Sequence, residues 1–508
     1  MDQLKSGGTG PTKDEEVARH ENNTQGMAGK AAAGGVTTVL GTLTSFALSL
    51  IGLVVITRLL TKEDFGLFGM VTVLSGLAAM FIDFGLGRAL IHKDEITDGQ
   101  ISGLFWINAI VGLVMASVFA MLTPVIVWLY QEPRLMAINL AMASVFLFSA
   151  LGVQHQALLQ REMRFKKLAL VQPFAMGFGV IAGILVALAG GGYWALVVQR
   201  AVLQVVTVIM LFSFSGWLPG RPAPWNEIRD LVKFGTHVFS VQMVNYFSRN
   251  TDNFLLGYFY GPSVLGLYAR AYTLVMLPAE KVNAPCGGVI IPVLSRLRSE
   301  PKRYAKAYLD IISAISLLLT PLCILMFLDA EEAVPLLLGE EWKDLVPVFW
   351  LLAPTCLMAV TRGAEYWLYV SWGHVERYTK WTMIQTPLLI VAICLGVPWG
   401  GFGVAAAVSI ATVLLKPVAF AVASPGTPVQ LCSYLDRVFT PIILSLLAAA
   451  PILTLNSLSL LGDGIFKLVI QSVAYLLVVS SVYVFGPTKL TNAQVLSNIS
   501  SLLMKKFR

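Results

Sequence analysis

The sequence predicts an all-α polytopic membrane protein of about fourteen transmembrane helices, arranged as two pseudo-symmetric six-helix lobes plus a C-terminal helix pair. Three observations carry this. The 508 residues are 56% hydrophobic and only 13% charged, with a mean hydropathy of +0.73, so the core has to be lipid. The apolar runs are each near the ~20 residues that a helix needs to cross a bilayer. Short motifs of the first half also recur in the second at a nearly constant offset.

Residues 1–30 are polar, charged and rich in Gly, Asn and Thr, with no apolar run to act as a signal peptide. They read as a disordered cytoplasmic tail. The N-terminal lobe, 31–220, follows with spans at about 36–58, 65–86, 101–129, 135–157, 168–189 and 193–215. Thr38, Thr42, Ser45, Ser49 and Gly52 share a face of the first span, which suits close helix packing or a cavity wall. The second span ends in Ile82-Asp-Phe-Gly-Leu-Gly-Arg88; Asp83 and Arg88 either face a cavity or snorkel to the interface. Leu159 to Lys167 is a basic amphipathic loop. Gly190-Gly-Gly192 is a tight turn, without the GK[ST] ending or strand context of a phosphate loop.

After the proline-rich stretch Trp217–Pro224 the pattern begins again. The C-terminal lobe, 221–425, carries spans at about 232–259, 264–293, 307–329, 345–370, 381–397 and 401–422. A final pair at about 438–456 and 465–486 lies within 426–490, and 491–508 is an amphipathic basic cytoplasmic tail. Cys286, Cys323, Cys356, Cys394 and Cys432 show no CxxC or Cys/His spacing and read as small packing residues, so no metal or cofactor is expected.

An even span count puts both termini on one side. About 25 of the 36 Lys and Arg fall in the tails and the loops around 93, 164, 221, 300 and 378, and about five on the other side. Loops on that poor side are short or acidic, as at Glu331-Glu332 and Glu340-Glu341. By the positive-inside rule both termini are cytoplasmic. The net charge of +7 therefore speaks to topology, and no nucleic-acid partner is expected.

The repeat decides the architecture. Phe65-Gly-Leu-Phe68 recurs as Leu265-Gly-Leu-Tyr268, an offset of 200, and Gly191-Gly-Tyr193 as Gly400-Gly-Phe402, an offset of 209. Phe165-x-Lys167…Gln172-Pro173 recurs as Tyr378-x-Lys380…Gln385, with Pro387 one place later, an offset of 213. Six spans per copy give both halves the same orientation, about an axis along the membrane normal. Parallel repeats of this kind are a transporter pattern, with substrate held between the halves near the midplane.

The polar stripe sits in the seventh span. Gln242, Asn245, Arg249 and Asp252 are spaced three, four and three apart, so they share one helical face, while Val244, Phe247 and Phe254 lie away from it. A charge at the centre of a spanning helix costs roughly 2.5–3.5 kcal/mol on insertion scales, so such residues face a cavity or a partner. One reading pairs Arg249 with Asp252 at i, i+3; only a cavity also accounts for Gln242 and Asn245. Arg200, Arg270, Lys281, Arg362 and Lys416 add cations within or near spans, against the acids Asp83, Glu280 and Glu365. Arg362 and Glu365 are a second i, i+3 pair, either a buried salt bridge or part of the cleft.

Ser248-Arg-Asn-Thr-Asp-Asn-Phe-Leu-Leu-Gly257, Leu265-Gly-Leu-Tyr-Ala-Arg-Ala-Tyr272 with Leu277-Pro278, Asp83-Phe-Gly-Leu-Gly-Arg88 and Leu158-Leu-Gln-Arg-Glu-Met-Arg-Phe165 together resemble the Wzx-like bacterial polysaccharide flippases. These are polysaccharide transporters of the multidrug/oligosaccharidyl-lipid/polysaccharide exporter superfamily, and the resemblance covers about residues 30–490. It implies an inner-membrane carrier that moves undecaprenyl-diphosphate-linked glycan to the periplasmic leaflet through a cationic cleft, working beside a polysaccharide polymerase and export complex. On that reading Arg249 and Arg270 hold the diphosphate with Arg362 as a third cation, since Arg offers a permanent charge in a fork that fits phosphate. Asn245 and Gln242 line the same cleft. Asp252, Asp83 and Glu365 are the candidates to orient an Arg or take up a coupling proton or sodium ion. The alternatives are a flippase for the peptidoglycan precursor, or a drug exporter of the same superfamily, which would line its cavity with acids. A polymerase or ligase enzyme is the different-class reading; it would present a large periplasmic loop, and His20, His92, His155, His237 and His374 form no acid/base cluster.

Overall fold

Inside lipid an open chain satisfies its backbone only as helix, and the described residues are helical apart from short turns. The computed structural model describes residues 40–83, 86–87, 90, 96–457 and 465–485, without the side chains at 79, 83, 230–245, 247–249, 281–282, 284–285, 288–289, 455–457, 465–466 and 484–485. The expected tails at 1–30 and 491–508 lie outside the described residues.

Helix α1 (Leu40–Leu59) leads into α2 (Lys62–Asp83). Helices α3 (Asp98–Met121) and α4 (Thr123–Tyr130) divide the expected third span, because Pro124 in the first turn of α4 has no N–H to continue the helix. Helices α5 (Leu135–Arg161), α6 (Phe165–Leu188) and α7 (Trp194–Ser215) complete the N-terminal half.

The helical stretch Trp225–Arg296 is two antiparallel helices, α8 (225–260) and α9 (262–296), reversed at Gly261, whose φ of 78° suits a residue without Cβ. Then follow α10 (Pro301–Leu328), the short α11 (Ala330–Leu338), a 3₁₀ turn at Glu340–Trp342, α12 (Leu345–Ala359), α13 (Ala364–Trp372), α14 (Val375–Gly396), α15 (Gly400–Ala423), α16 (Leu431–Ser457) and α17 (Ile465–Phe485). Among the described residues, ten helical stretches are long and apolar enough to cross a membrane. One of them, Val375–Ala423, is α14 and α15 folded back on each other at Gly400.

Helices α3, α5, α6 and α7 pack on one another, as do α10, α12, α14, α15 and α16; α2 lies on the α8–α9 hairpin between these groups. At one end the two halves interlock. A Cβ on Gly66 would fall far inside contact distance of the Pro262 carbonyl oxygen, and one on Gly266 would do the same to the Lys62 carbonyl. The partners 62 and 262, and 66 and 266, are related by the 200-residue offset of the repeat. The contact is thus reciprocal, as at an isologous interface.

Two aromatic rings reinforce it. Trp342 is buried and its Nε1 donates to the Thr57 carbonyl at 3.0 Å. Tyr130 lies in contact with the site of Gly257 and edge-on to Phe254. Positions 57 and 257 again differ by 200. Lys62 Nζ reaches Asp344 at 2.6 Å, and Arg58 donates to the carbonyls of Leu336 and Leu337. The acidic loop that the sequence presents as a plain connection is therefore folded, as α11 and the 3₁₀ turn, onto the other half of the chain.

Candidate functional site

Two polar cavities flank the α8–α9 hairpin. The first, about 360 Å³, lies between α1, α2 and α7 on one side and α8 and α9 on the other. Among the described residues that line it, Arg270 on α9 is the cation. The guanidinium lies 3.9 Å from the centroid of the Phe65 ring, its Nη2 donates to Thr57 Oγ1 at 2.6 Å, and its Nε has no protein partner. Gln199, Asn250 and Asn253 line the same space. A cation fixed by a ring and one hydroxyl, with donor capacity left over, is suited to a multivalent anion. Thr57 links this site to the interlock, since its hydroxyl serves Arg270 while its carbonyl serves Trp342.

The second cavity, about 300 Å³, lies within the C-terminal half, bounded by α8, α9, α12, α13, α14 and α15. Its key feature is the interruption of the expected tenth span at residues 360–363. Breaking a helix at membrane depth frees carbonyls, which must find donors. Asn283 Nδ2 lies 3.3 and 3.1 Å from the carbonyl oxygens of Ala359 and Val360, and Lys416 Nζ donates to Thr361 at 2.8 Å. The same ammonium pairs with Glu365 at 2.8 Å, and Glu365 also accepts from Tyr434 Oη at 3.4 Å.

The i, i+3 reading of Arg362 and Glu365 is therefore corrected. Arg362 sits in the break, about 40% exposed, and pairs with Glu280 at 3.7 Å; Glu365 is buried against Lys416 instead. The helix is interrupted between Ala359 and Ala364, so the i, i+3 geometry of a continuous helix does not apply across residues 362 and 365. Lys416 is likewise engaged as a structural donor. Replacing it with Met leaves Glu365 buried and unpaired, which should cost about 3–5 kcal/mol of stability. Lys416→Met combined with Glu365→Gln should recover most of that loss in thermal melts of the detergent-solubilised protein.

Asp252 lines the second cavity and is buried, accepting from Tyr268 Oη at 2.8 Å. Its stripe partners divide: Gln242, Asn245 and Arg249 are on α8, but their side chains lie outside the described residues, as does that of Asp83 on α2. Among described residues the structure thus brings Asp252, Arg362 and Glu365 to one cavity and Arg270 to the other.

Sequence reasoning missed Thr57, Trp342 and the Lys62–Asp344 pair. A tryptophan within Glu340-Glu-Trp-Lys-Asp344 was the available signal, since a large apolar ring in an acidic loop needs something to cover it.

A protein family described as "Polysaccharide biosynthesis protein" matches residues 55–347. The lipopolysaccharide biosynthesis protein WzxC of Escherichia coli (strain K12) is 24% identical, covering 72% of this chain and 75% of that protein. The teichuronic acid biosynthesis protein TuaB of Bacillus subtilis (strain 168) is 26% identical, covering 60% and 63%. A structure of the lipid II flippase MurJ in an inward closed conformation superposes with a TM-score of 0.72 at 14% identity, covering 88% of this chain and 98% of that one. At that identity the likeness is one of fold.

Proposed function

The chain belongs to the polysaccharide biosynthesis protein family, and from that membership we propose that it is a flippase for undecaprenyl-diphosphate-linked oligosaccharide units in the bacterial inner membrane. It is a transporter and not an enzyme. The observation that carries the reading is Arg270, held on Phe65 and Thr57 in a polar cavity between the halves of the chain, with donor capacity unused. A diphosphate leaving water needs such a partner, and the fork of an Arg matches its oxygens.

On this reading fourteen spans form two six-helix lobes, 31–220 and 221–425, with a further pair in 426–490. The basic loops and both termini face the cytoplasm. The interlock at Gly66, Gly266 and Trp342 is then the periplasmic gate, and alternating access proceeds by parting it while the opposite end closes. Arg249 would meet the anion earlier on its path, with Gln242 and Asn245 on the same wall, while Arg362 stands with Asp252 and Glu365 at the second cavity. Asp252, Asp83 and Glu365 are the groups available for proton or sodium coupling. The isoprenoid tail stays in the bilayer, and a polymerase with export machinery consumes the product.

Deleting the gene should abolish the cell's surface polymer and accumulate its lipid-linked unit on the cytoplasmic leaflet; the intact gene supplied in trans should restore both. Unchanged surface polymer in the deletion strain would overturn this reading and favour a drug exporter.

A further inference from the structure

The second cavity has walls of a different chemistry from the first. Helix α14 presents Tyr378, Trp381 and Gln385 on one face, at i, i+3 and i+7, and α13 adds Tyr366 and Tyr369. Tyr378 packs edgewise or tilted on both Tyr366 and Tyr369, with ring centroids 5.3 and 5.5 Å apart. Two polar atoms in this aromatic wall are buried without a hydrogen-bond partner, Trp381 Nε1 and Tyr369 Oη, on residues 7% and 1% exposed. Buried polar groups are almost always satisfied, and an indole N–H is a donor that needs an acceptor. Lining the same cavity are Asp252, which accepts from Tyr268 Oη and the Asn253 N–H, Glu365, and, at the break in the helix, the half-exposed Arg362.

Diphosphate does not suit such a pocket. Asp252 and Glu365 would repel it, and Lys416 is committed to Glu365 and the Thr361 carbonyl. A sugar does suit it: the C–H face of a pyranose lies on aromatic rings, while its hydroxyls both donate to carboxylates and accept from N–H and O–H groups. The volume of about 300 Å³ is at the lower end of small-molecule pockets. It has room for a sugar ring and not for a whole repeat unit.

We propose that the cavity bounded by Trp381, Tyr369, Tyr366, Asp252 and Arg362 is a saccharide subsite that takes one sugar ring of the transported glycan. This rests on the flippase reading and deepens it. Arg270 holds the charged end of the head group on one side of the α8–α9 hairpin, while this pocket reads the sugar on the other. A specificity role follows, because a site built to hydrogen-bond a hydroxyl rejects analogues that lack it.

The test uses the full-length protein in nanodiscs and two probes, the lipid-linked repeat unit of the strain that carries the gene and bare undecaprenyl diphosphate. Affinities are read by native mass spectrometry. Tyr369→Phe keeps its ring and removes only the unpartnered O–H, whereas Trp381→Phe removes the unpartnered N–H together with the pyrrole half of the indole. Each should weaken the glycosylated probe about tenfold and leave bare undecaprenyl diphosphate unchanged; Tyr369→Phe should also leave the melting temperature near that of the native protein, while Trp381→Phe lowers it somewhat through the cavity it leaves. Arg270→Ala should weaken both probes. If both conservative variants bind the glycosylated probe as tightly as the native protein while Arg270→Ala weakens both, the saccharide subsite is wrong and the flippase reading stands. If the native protein binds neither probe, both fall.

Discussion

Arg270→Ala is expected to abolish surface polymer while leaving the amount of protein in the membrane unchanged, with Arg270→Lys restoring part of it. Truncating one partner of a buried charge pair costs roughly 2–5 kcal/mol, about thirty-fold to several-thousand-fold in affinity. Lys keeps the charge but loses the planar fork and the stacking on Phe65, so its rescue is incomplete. Arg270 also donates to Thr57 at the interlock, which offers a purely structural explanation of the same loss. Thr57→Val separates the two. It removes that hydrogen bond while leaving the cation in place, and polymer should then stay near the native level. If Thr57→Val were as damaging as Arg270→Ala, the arginine would serve the gate and not the anion.

Gly66→Val and Gly266→Val should each prevent the interlocked state from forming and so stop transport. Neither position leaves space for Cβ, and the atoms in the way are the backbone carbonyls of Pro262 and Lys62, which cannot swing aside like the end of a side chain. Trp342→Ala should act in the same direction, removing a fully buried ring at a cost of about 3–5 kcal/mol. The readout is labelling of Thr57→Cys by a membrane-impermeant thiol reagent, with the five native cysteines replaced. Residue 57 is fully buried in the interlock, so it should react slowly in the cycling protein and markedly faster when Gly66 carries a side chain. Labelling from the periplasmic face would fix which end is which; labelling from the cytoplasmic face alone would reverse the orientation. Normal polymer in the Gly66→Val protein, with the thiol at position 57 labelled no faster than with Gly66 in place, would show that closure here is not part of the cycle.

Much of this was legible from residues alone. The helical class follows from hydropathy, because lipid leaves a chain so apolar no other way to satisfy its backbone. The 200-residue offset between Phe65-Gly-Leu-Phe68 and Leu265-Gly-Leu-Tyr268 pointed to a symmetric pair before any contact was known, and the glycines of those two motifs are the points where α2 meets the hairpin. Charge placement was harder. The i, i+3 spacing of Arg362 and Glu365 predicts a pair only if the helix is continuous, and the break at 360–363 makes the spacing meaningless. Lys416 and Glu365 are 51 residues apart and Trp342 and Thr57 are 285 apart, so neither contact has a local signature.

The sequence by itself determined the solvent of this protein, its helical class and its internal repeat, because these depend on composition and on periodicities that read out within one helix or between copies of one motif. It also marked Arg270 and Asp252 as residues in need of partners, since a charge in an apolar run carries its cost wherever the chain goes. Only the tertiary structure decided what those partners are: Phe65 and Thr57 for Arg270, Tyr268 for Asp252. It alone divided the charges between two cavities and turned an acidic connection into a latch. The reason is that hydropathy has no direction. It drives a helix into the bilayer without saying which neighbour it meets, and that choice is made by close packing at glycines and by carbonyls and charges that must each find a donor or an acceptor.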